Sequence, residues 1–341
     1  MPLTPRLRKP LWVVTRYEQQ QQQQHEAVVE RHLTLFDLVS VGVGGTVGSG
    51  IFVLAGFVAH NYAGPATTLS FAISGLAACC SGICFAELAG RLPASGSTYT
   101  YAYVAMGELT AVVVAACLSL EYAVSGAAVA RSWGSKFVVW LTHQWNVSPH
   151  LVHTYLLPGY GLNPMAFVIS VLSTAVLVKG IPESKLATNF FTVLKVGLVI
   201  FMTVGALFFF QPRNLTPFAP KGAGGVMHGA TSCFFAYLGY DEVCVISGEA
   251  LHPQRDMPRS VLLTLLIITV LYILAVFSLS GMQPYTELNP TSAFSVGFQQ
   301  HNAPWMAQIT AVRATMYFVC VCVCVHACHL TRKTLFFRQA K

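Results

Sequence analysis

Seven stretches of this 341-residue chain are long and apolar enough to cross a bilayer's hydrocarbon core, which is about 30 Å thick: residues 35–59, 65–87, 99–130, 164–180, 188–210, 226–249 and 260–282. A backbone in lipid must satisfy its own hydrogen bonds, so successive runs of this kind fold as helices. Composition agrees: 54% of the residues are hydrophobic and 10% charged, against about 25% charged in an average soluble domain, and mean hydropathy is +0.58. The sequence therefore predicts an all-α, multi-pass integral membrane protein whose surroundings are a lipid bilayer. The third stretch is longer than a bilayer needs and must tilt or extend beyond it.

The charges set an orientation. Lys plus Arg exceed Asp plus Glu by 20 to 13, an excess that in a membrane protein marks cytoplasmic loops and implies no nucleic acid partner. With the N-terminus inside, Arg6, Arg8, Lys9, Arg16, Arg31, Arg91, Lys179, Lys185, Arg255 and Arg259 are cytoplasmic. Only Arg131, Lys136, Arg213 and Lys221 then lie outside. Residues 1–34, with a glutamine tract from Gln19 to Gln24, read as a disordered cytoplasmic tail. Two glycosylation sequons, at Asn146 and Asn214, fall in loops that this orientation puts outside. Six of the ten cysteines sit inside apolar runs and four crowd into residues 320–328, so they carry no redox signal.

Residues 285–341 follow a different pattern. An eighth span is available from about Trp305 to Cys328, but its Val319–Cys328 core alternates Val and Cys as a translated dinucleotide repeat would. We expect non-coding sequence to begin near Val312; a genuine helix and a Cys/His metal tract are the alternatives.

The chemistry concentrates where two spans are interrupted. Gly42, Gly44, Gly45, Gly48 and Gly50 fall within nine residues of the first span, and each glycine costs about 1 kcal/mol relative to alanine inside a helix. A helix broken at mid-depth is tolerated where its freed backbone lines a cavity, and its bare amides suit a carboxylate. The alternative is close helix packing through Gly44 and Gly48. In the sixth span Phe234–Glu242 interrupts an apolar run with aromatics, a glycine and two acids. Breaks five spans apart are what an inverted five-helix repeat predicts, with a binding site between the halves.

The Gly48–Phe52 run GSGIF and the Phe234–Glu242 run FFAYLGYDE resemble the amino acid, polyamine and organocation transporter superfamily. The Pro253–Pro258 stretch adds to this, and Ala86–Tyr99 with Gly107–Leu109 is similar to the cationic amino acid transporter branch. The resemblance covers about Leu33 to Pro284. It implies a transporter domain over 35–284, with a first repeat at about 35–210 and a partial second repeat at about 226–284. It also implies that Thr46, Gly48, Ser49 and Gly50 hold a substrate carboxylate, and that Phe235, Ala236 and Tyr237 form the other side.

Glu121 is similar to an acid that such transporters place in the third span facing the pocket. An ionisable group inside a span is costly and functional by default; the alternative is a structural ion pair or a neutral carboxyl. Lys195 lies mid-way along the fifth span, where desolvation disfavours the charged ammonium. In the related proteins a lysine at this place resembles a substitute for bound sodium and reaches toward the first span, which implies proton coupling. Permanent pairing with an acid is the alternative. Pro253, Arg255, Asp256 and Pro258 are expected to order the loop between spans six and seven. Glu87 and Arg91 are spaced to pair, and Glu108 is a candidate buried or pocket-facing acid, not a ligand, at the start of the third span.

Two departures matter. A complete core needs ten spans, so the fold expected here is an incomplete five-plus-five inverted repeat of seven or eight helices. Ala116-Cys117 and Gly248-Glu249 stand where Gly-Trp and paired acids are usual in the family. The function expected is proton-coupled alternating-access transport of amino acids of the arginine or lysine type, across the plasma membrane or a vacuolar or lysosomal membrane. The alternative is a truncated, non-transporting product or interaction partner. An enzyme finds no HExxH run, nucleophile elbow or phosphate loop. A seven-span receptor fits the count but not the glycine breaks. No cofactor and no metal site are indicated; the partners are an amino acid, a proton and lipid.

Overall fold

The computed structural model describes residues 31–92, 96–145, 163–178, 185–290, 292–303 and 305–310. Most of the N-terminal tail, the Asn146 sequon, Lys179 and all of the Val/Cys tract lie outside these residues. The chain is all-α, with no strand among the described residues.

Helix α1, Leu35–Thr46, starts at a reciprocal cap: Thr34 N donates to Asp37 Oδ2 at 3.0 Å and Asp37 N to Thr34 Oγ1 at 3.4 Å. This satisfies two amides that a helix start leaves without partners. Just before it, Leu33 forms an isolated parallel bridge with Ala250. Helix α2, Ser49–Val58, runs through a π-helical turn and a 3-10 turn into α3, Thr67–Arg91. Helices α4, Ser97–Met106, and α5, Glu108–Trp145, come next, then α6, Pro164–Val178, and α7, Lys185–Phe208. Helix α8, Gly222–Phe234, the short α9, Glu242–Val245, the long α10, Pro253–Met282, and α11, Ala293–Gln300, follow.

Helix α10 organises the packing. It lies against α3, α1 and α7, while α8 also packs on α3 and α5 on α6. Its buried residues Met257, Val261, Leu265, Ile268, Tyr272, Ala275 and Leu279 recur every three or four positions. Leu262, Leu266, Val270 and Leu274 on the other face are exposed and apolar, as a helix needs when one side meets protein and the other lipid. Glu108–Ser132, Thr188–Phe208 and Pro253–Met282 are each long and apolar enough to span a bilayer, as is the run Gly50–Arg91 with its internal turns.

Three expectations need correction. The single third span is two helices, because Gly107 takes φ +96° between α4 and α5, a conformation that glycine adopts at little cost. Glu108 does begin α5, but it is exposed rather than buried. Pro253, Arg255, Asp256 and Pro258 are not loop residues: they form the first two turns of α10, where Pro253 needs no amide partner and Pro258 packs under Gly90. Glu87 and Arg91 do pair, at 2.7 Å on the exposed end of α3.

Candidate functional site

The glycine cluster of the first span does two jobs along its length. Gly42 lies so close to Val243 and Thr264 that a β-carbon would sit 2.6 Å from the Val243 methyl and 2.7 Å from the Thr264 hydroxyl. Gly44 is pressed in the same way on Thr192 of α7. Helix α1 then stops at Thr46; Val47 and Gly48 leave helical geometry, and α2 begins at Ser49. Close packing and a break therefore coexist, on successive turns.

The sixth span breaks opposite. After α8 come a 3-10 turn at Phe235–Tyr237, an extended Leu238 and Gly239 at φ +115°. A β-carbon on Gly239 would lie 3.0 Å from the Gly45 carbonyl carbon and 3.1 Å from Thr46 N, and one on Gly50 would lie 2.6 Å from Ala236 Cα. The two broken backbones thus touch at Gly45–Gly239 and Gly50–Ala236, and glycine is what permits it.

A helix cannot pair its own last four carbonyls, and neighbouring side chains supply donors here. Tyr272, on α10, directs its hydroxyl to the carbonyls of Thr46, 3.0 Å, and Ala236, 3.3 Å, one from each broken span. Lys195 donates from Nζ to the Gly44 carbonyl at 2.8 Å, placing a cation at the C-terminal end of α1, where the helix dipole favours it. The same face of α7 sends Thr192 Oγ1 to the Ser40 carbonyl at 3.1 Å and Asn189 Nδ2 to Asp37 Oδ1 at 2.7 Å.

Between the breaks lies a small cleft that opens outward. Thr46, Gly48, Gly50, Glu121, Phe235 and Ala236 all line it. Thr46 presents mainly backbone, because its hydroxyl donates to the Gly42 carbonyl at 2.8 Å. The side chain of Ser49 lies outside what the structure describes. Tyr237 does not line the cleft: it is fully buried behind, with its hydroxyl on the Phe71 carbonyl at 2.9 Å and its ring edge-on to Tyr272 at 5.3 Å. Lys195 is absent from the lining as well; its ammonium is spent on the Gly44 carbonyl, one residue before the lining residue Gly45.

The structure adds residues that sequence reasoning passed over. Tyr122, Ser125 and Val129 continue the Glu121 face of α5 into the cleft. Tyr122 donates its hydroxyl to Asp241 Oδ2 at 2.8 Å. Glu242 also lines the cleft and is buried against Gly45. Both acids were visible in the sequence as interruptions of an apolar run. Tyr272 is one of six hydroxyl residues within span seven, and nothing in the sequence singles it out.

A family model described as amino acid permease matches residues 33–331. Cationic amino acid transporter 5 of Arabidopsis thaliana is 36% identical over 302 residues, covering 88% of this chain and 52% of that protein. Cationic amino acid transporter 4 of Homo sapiens is 36% identical over 293 residues, covering 84% of this chain and 46% of the relative. The methylthioribose transporter of Bacillus subtilis is 38% identical over 264 residues, covering 76% of this chain and 57% of the relative. The chain spans about half the length of the curated relatives it matches.

Proposed function

We propose that this chain, which belongs to the amino acid permease family, carries amino acids across a membrane, prefers cationic ones, and couples their movement to protons. The observation that carries the reading is the cleft where the two interrupted spans meet, with a carboxylate, Glu121, on its wall. Amides at Gly48–Gly50, the start of α2, suit the substrate carboxylate, since a broken helix presents its N-terminal end there. The α-ammonium is assigned to carbonyls near Thr46 and Ala236, and the side chain to the region of Phe235 and Glu121.

Cationic preference is supported by Glu121 and by the relatives named as cationic amino acid transporters. The methylthioribose transporter shows that a similar sequence is also found in a carrier with another cargo named, so the residues of the cleft have to set the choice. Proton coupling is assigned to Lys195. Its ammonium holds the end of α1, and loss of the proton would turn a charge-assisted bond to Gly44 into a weaker one or release it. Occupancy of that bond would then bias the position of α1. The membrane is proposed to be the plasma membrane or a vacuolar or lysosomal one.

The test is uptake of labelled arginine into vesicles reconstituted with the full chain. Accumulation driven by an imposed inward proton gradient and blocked by excess lysine is expected. Uptake no greater than in protein-free vesicles would overturn the carrier reading.

A further inference from the structure

Helices α3 and α10 run antiparallel in close contact: Gly90 of α3 sits on Pro258 and the Gln254 carbonyl, Gly82 on Leu265 and Val261, and Gly75 on Thr269. At 3.6 residues per turn, the residue after each contact lies about 100° further round its helix. In an antiparallel pair of right-handed helices that rotation carries both sets to the same flank. Arg255, Arg259, Leu262 and Leu266 follow the contacts of α10, and Leu76 and Ile83 follow those of α3; all six are exposed. The flank is therefore a shallow groove, basic at the start of α10 and apolar along the rest, and none of these residues lines the cleft.

Arg255 and Arg259 stand one turn apart, and among the described residues their guanidinium groups hold no ion pair or hydrogen bond. Arg91, on the same flank, is taken by Glu87 at 2.7 Å. Below Arg259 the exposed stripe runs through Leu262 and Leu266 to Val270, about 16 Å at 1.5 Å per residue, roughly half of a hydrocarbon core about 30 Å thick. Two cations at the rim of an apolar strip one leaflet deep have the shape and charge that complement a lipid with an anionic head.

We propose that this groove binds an anionic phospholipid, with its phosphate between Arg255 and Arg259 and an acyl chain against Leu262, Leu266 and Ile83. Guanidinium groups suit phosphate because their forked donors match its oxygens. A zwitterionic lipid fills the apolar strip equally well but brings its own ammonium, so the two arginines separate the headgroups. Free phosphate gains nothing from Leu262 and Leu266, so the strip separates a lipid from a soluble anion.

Native mass spectrometry of the full chain, mixed with equal amounts of phosphatidylglycerol and phosphatidylcholine carrying identical acyl chains, tests this. The unsubstituted protein is expected to retain phosphatidylglycerol about tenfold or more over phosphatidylcholine, and the double variant Arg255→Gln/Arg259→Gln to bring the ratio to within about twofold of unity. Arg213→Gln, at an exposed arginine on the 3-10 turn beyond α7, is expected to keep the preference. A phosphatidylglycerol with a photoreactive group in its chain is expected to label residues 76–83 and 262–270 of the unsubstituted protein, a result that needs no variant to fold. No preference in the unsubstituted protein, a preference that survives the double substitution, an equal fall in Arg213→Gln, or labelling confined to other helices overturns the proposal. Displacement of the lipid by excess inorganic phosphate overturns it as well, in favour of a soluble anion.

Discussion

The ammonium of Lys195 and the carbonyl of Gly44 are joined by a 2.8 Å hydrogen bond from span five to the last turn of α1, two residues before the helix breaks. Asn189 and Thr192 precede Lys195 at intervals of three residues and bond Asp37 and Ser40 along the same helix. These three rungs set the register of α1 on α7, and the charged rung lies nearest the cleft. Charge-assisted hydrogen bonds contribute about 1.5–3 kcal/mol, enough to shift a two-state position of α1 by tenfold or more.

Lys195→Ala is therefore expected to abolish accumulation of arginine against a gradient while leaving any exchange across the membrane insensitive to pH. Vesicle uptake at several imposed proton gradients measures this. Uptake that keeps its pH dependence in the variant removes Lys195 from the coupling.

Tyr272→Phe deletes the hydroxyl shared by the Thr46 and Ala236 carbonyls. Loss of a neutral hydrogen bond costs about 1 kcal/mol, so arginine affinity is expected to fall several-fold, with a lower thermal midpoint. Tyr237→Phe serves as the comparison: its hydroxyl bonds the Phe71 carbonyl outside the cleft, so stability is expected to fall without a matching loss of affinity. Equal effects of the two variants on affinity would contradict this division.

Gly239→Ala combines φ +115° with collisions on Gly45 and Thr46. Left-handed backbone strain costs about 1–3 kcal/mol and overpacking a similar amount. Binding and thermal stability are both expected to drop sharply. Gly126→Ala, where a β-carbon meets nothing within 4 Å, is expected to be neutral or to stabilise α5 by up to about 1 kcal/mol; scanning fluorimetry of both variants reads the contrast.

The Asn214 sequon is expected to stay unmodified. Asn214 is 8% exposed and its amide nitrogen, the atom a glycan would occupy, donates to the Gly281 carbonyl at 2.9 Å. Mass spectrometry of the peptide carrying Asn214, from protein made in a glycosylating host, should find the bare mass; a glycosylated fraction would show that this amide is accessible.

Gly42–Gly50 illustrates how far local sequence reaches. Five glycines state that the span is weak or closely packed, and both descriptions hold, on different turns: Gly44 meets Thr192 while Gly48 lies in the break. Which glycine does which depends on what stands opposite, and Thr192 is 148 residues away in the chain. Glu121 was identifiable because a carboxylate in an apolar span is rare and costly. Tyr237 was nominated with Phe235 and Ala236 by the resemblance, which carries no side-chain facing; within the 3-10 turn at Phe235–Tyr237 its side chain is buried behind the cleft, on the Phe71 carbonyl.

Hydropathy alone was enough for helices in a bilayer, because lipid leaves a backbone few ways to satisfy its hydrogen bonds, and glycine content was enough to locate weak points in spans one and six. It took packing in three dimensions to bring Gly239 onto Gly45, to stretch Lys195 to Gly44, and to turn Glu242 rather than Asp241 into the cleft. The reason is physical: a break's location follows from local backbone cost, whereas the direction a freed side chain takes follows from which distant neighbour leaves it room and a partner.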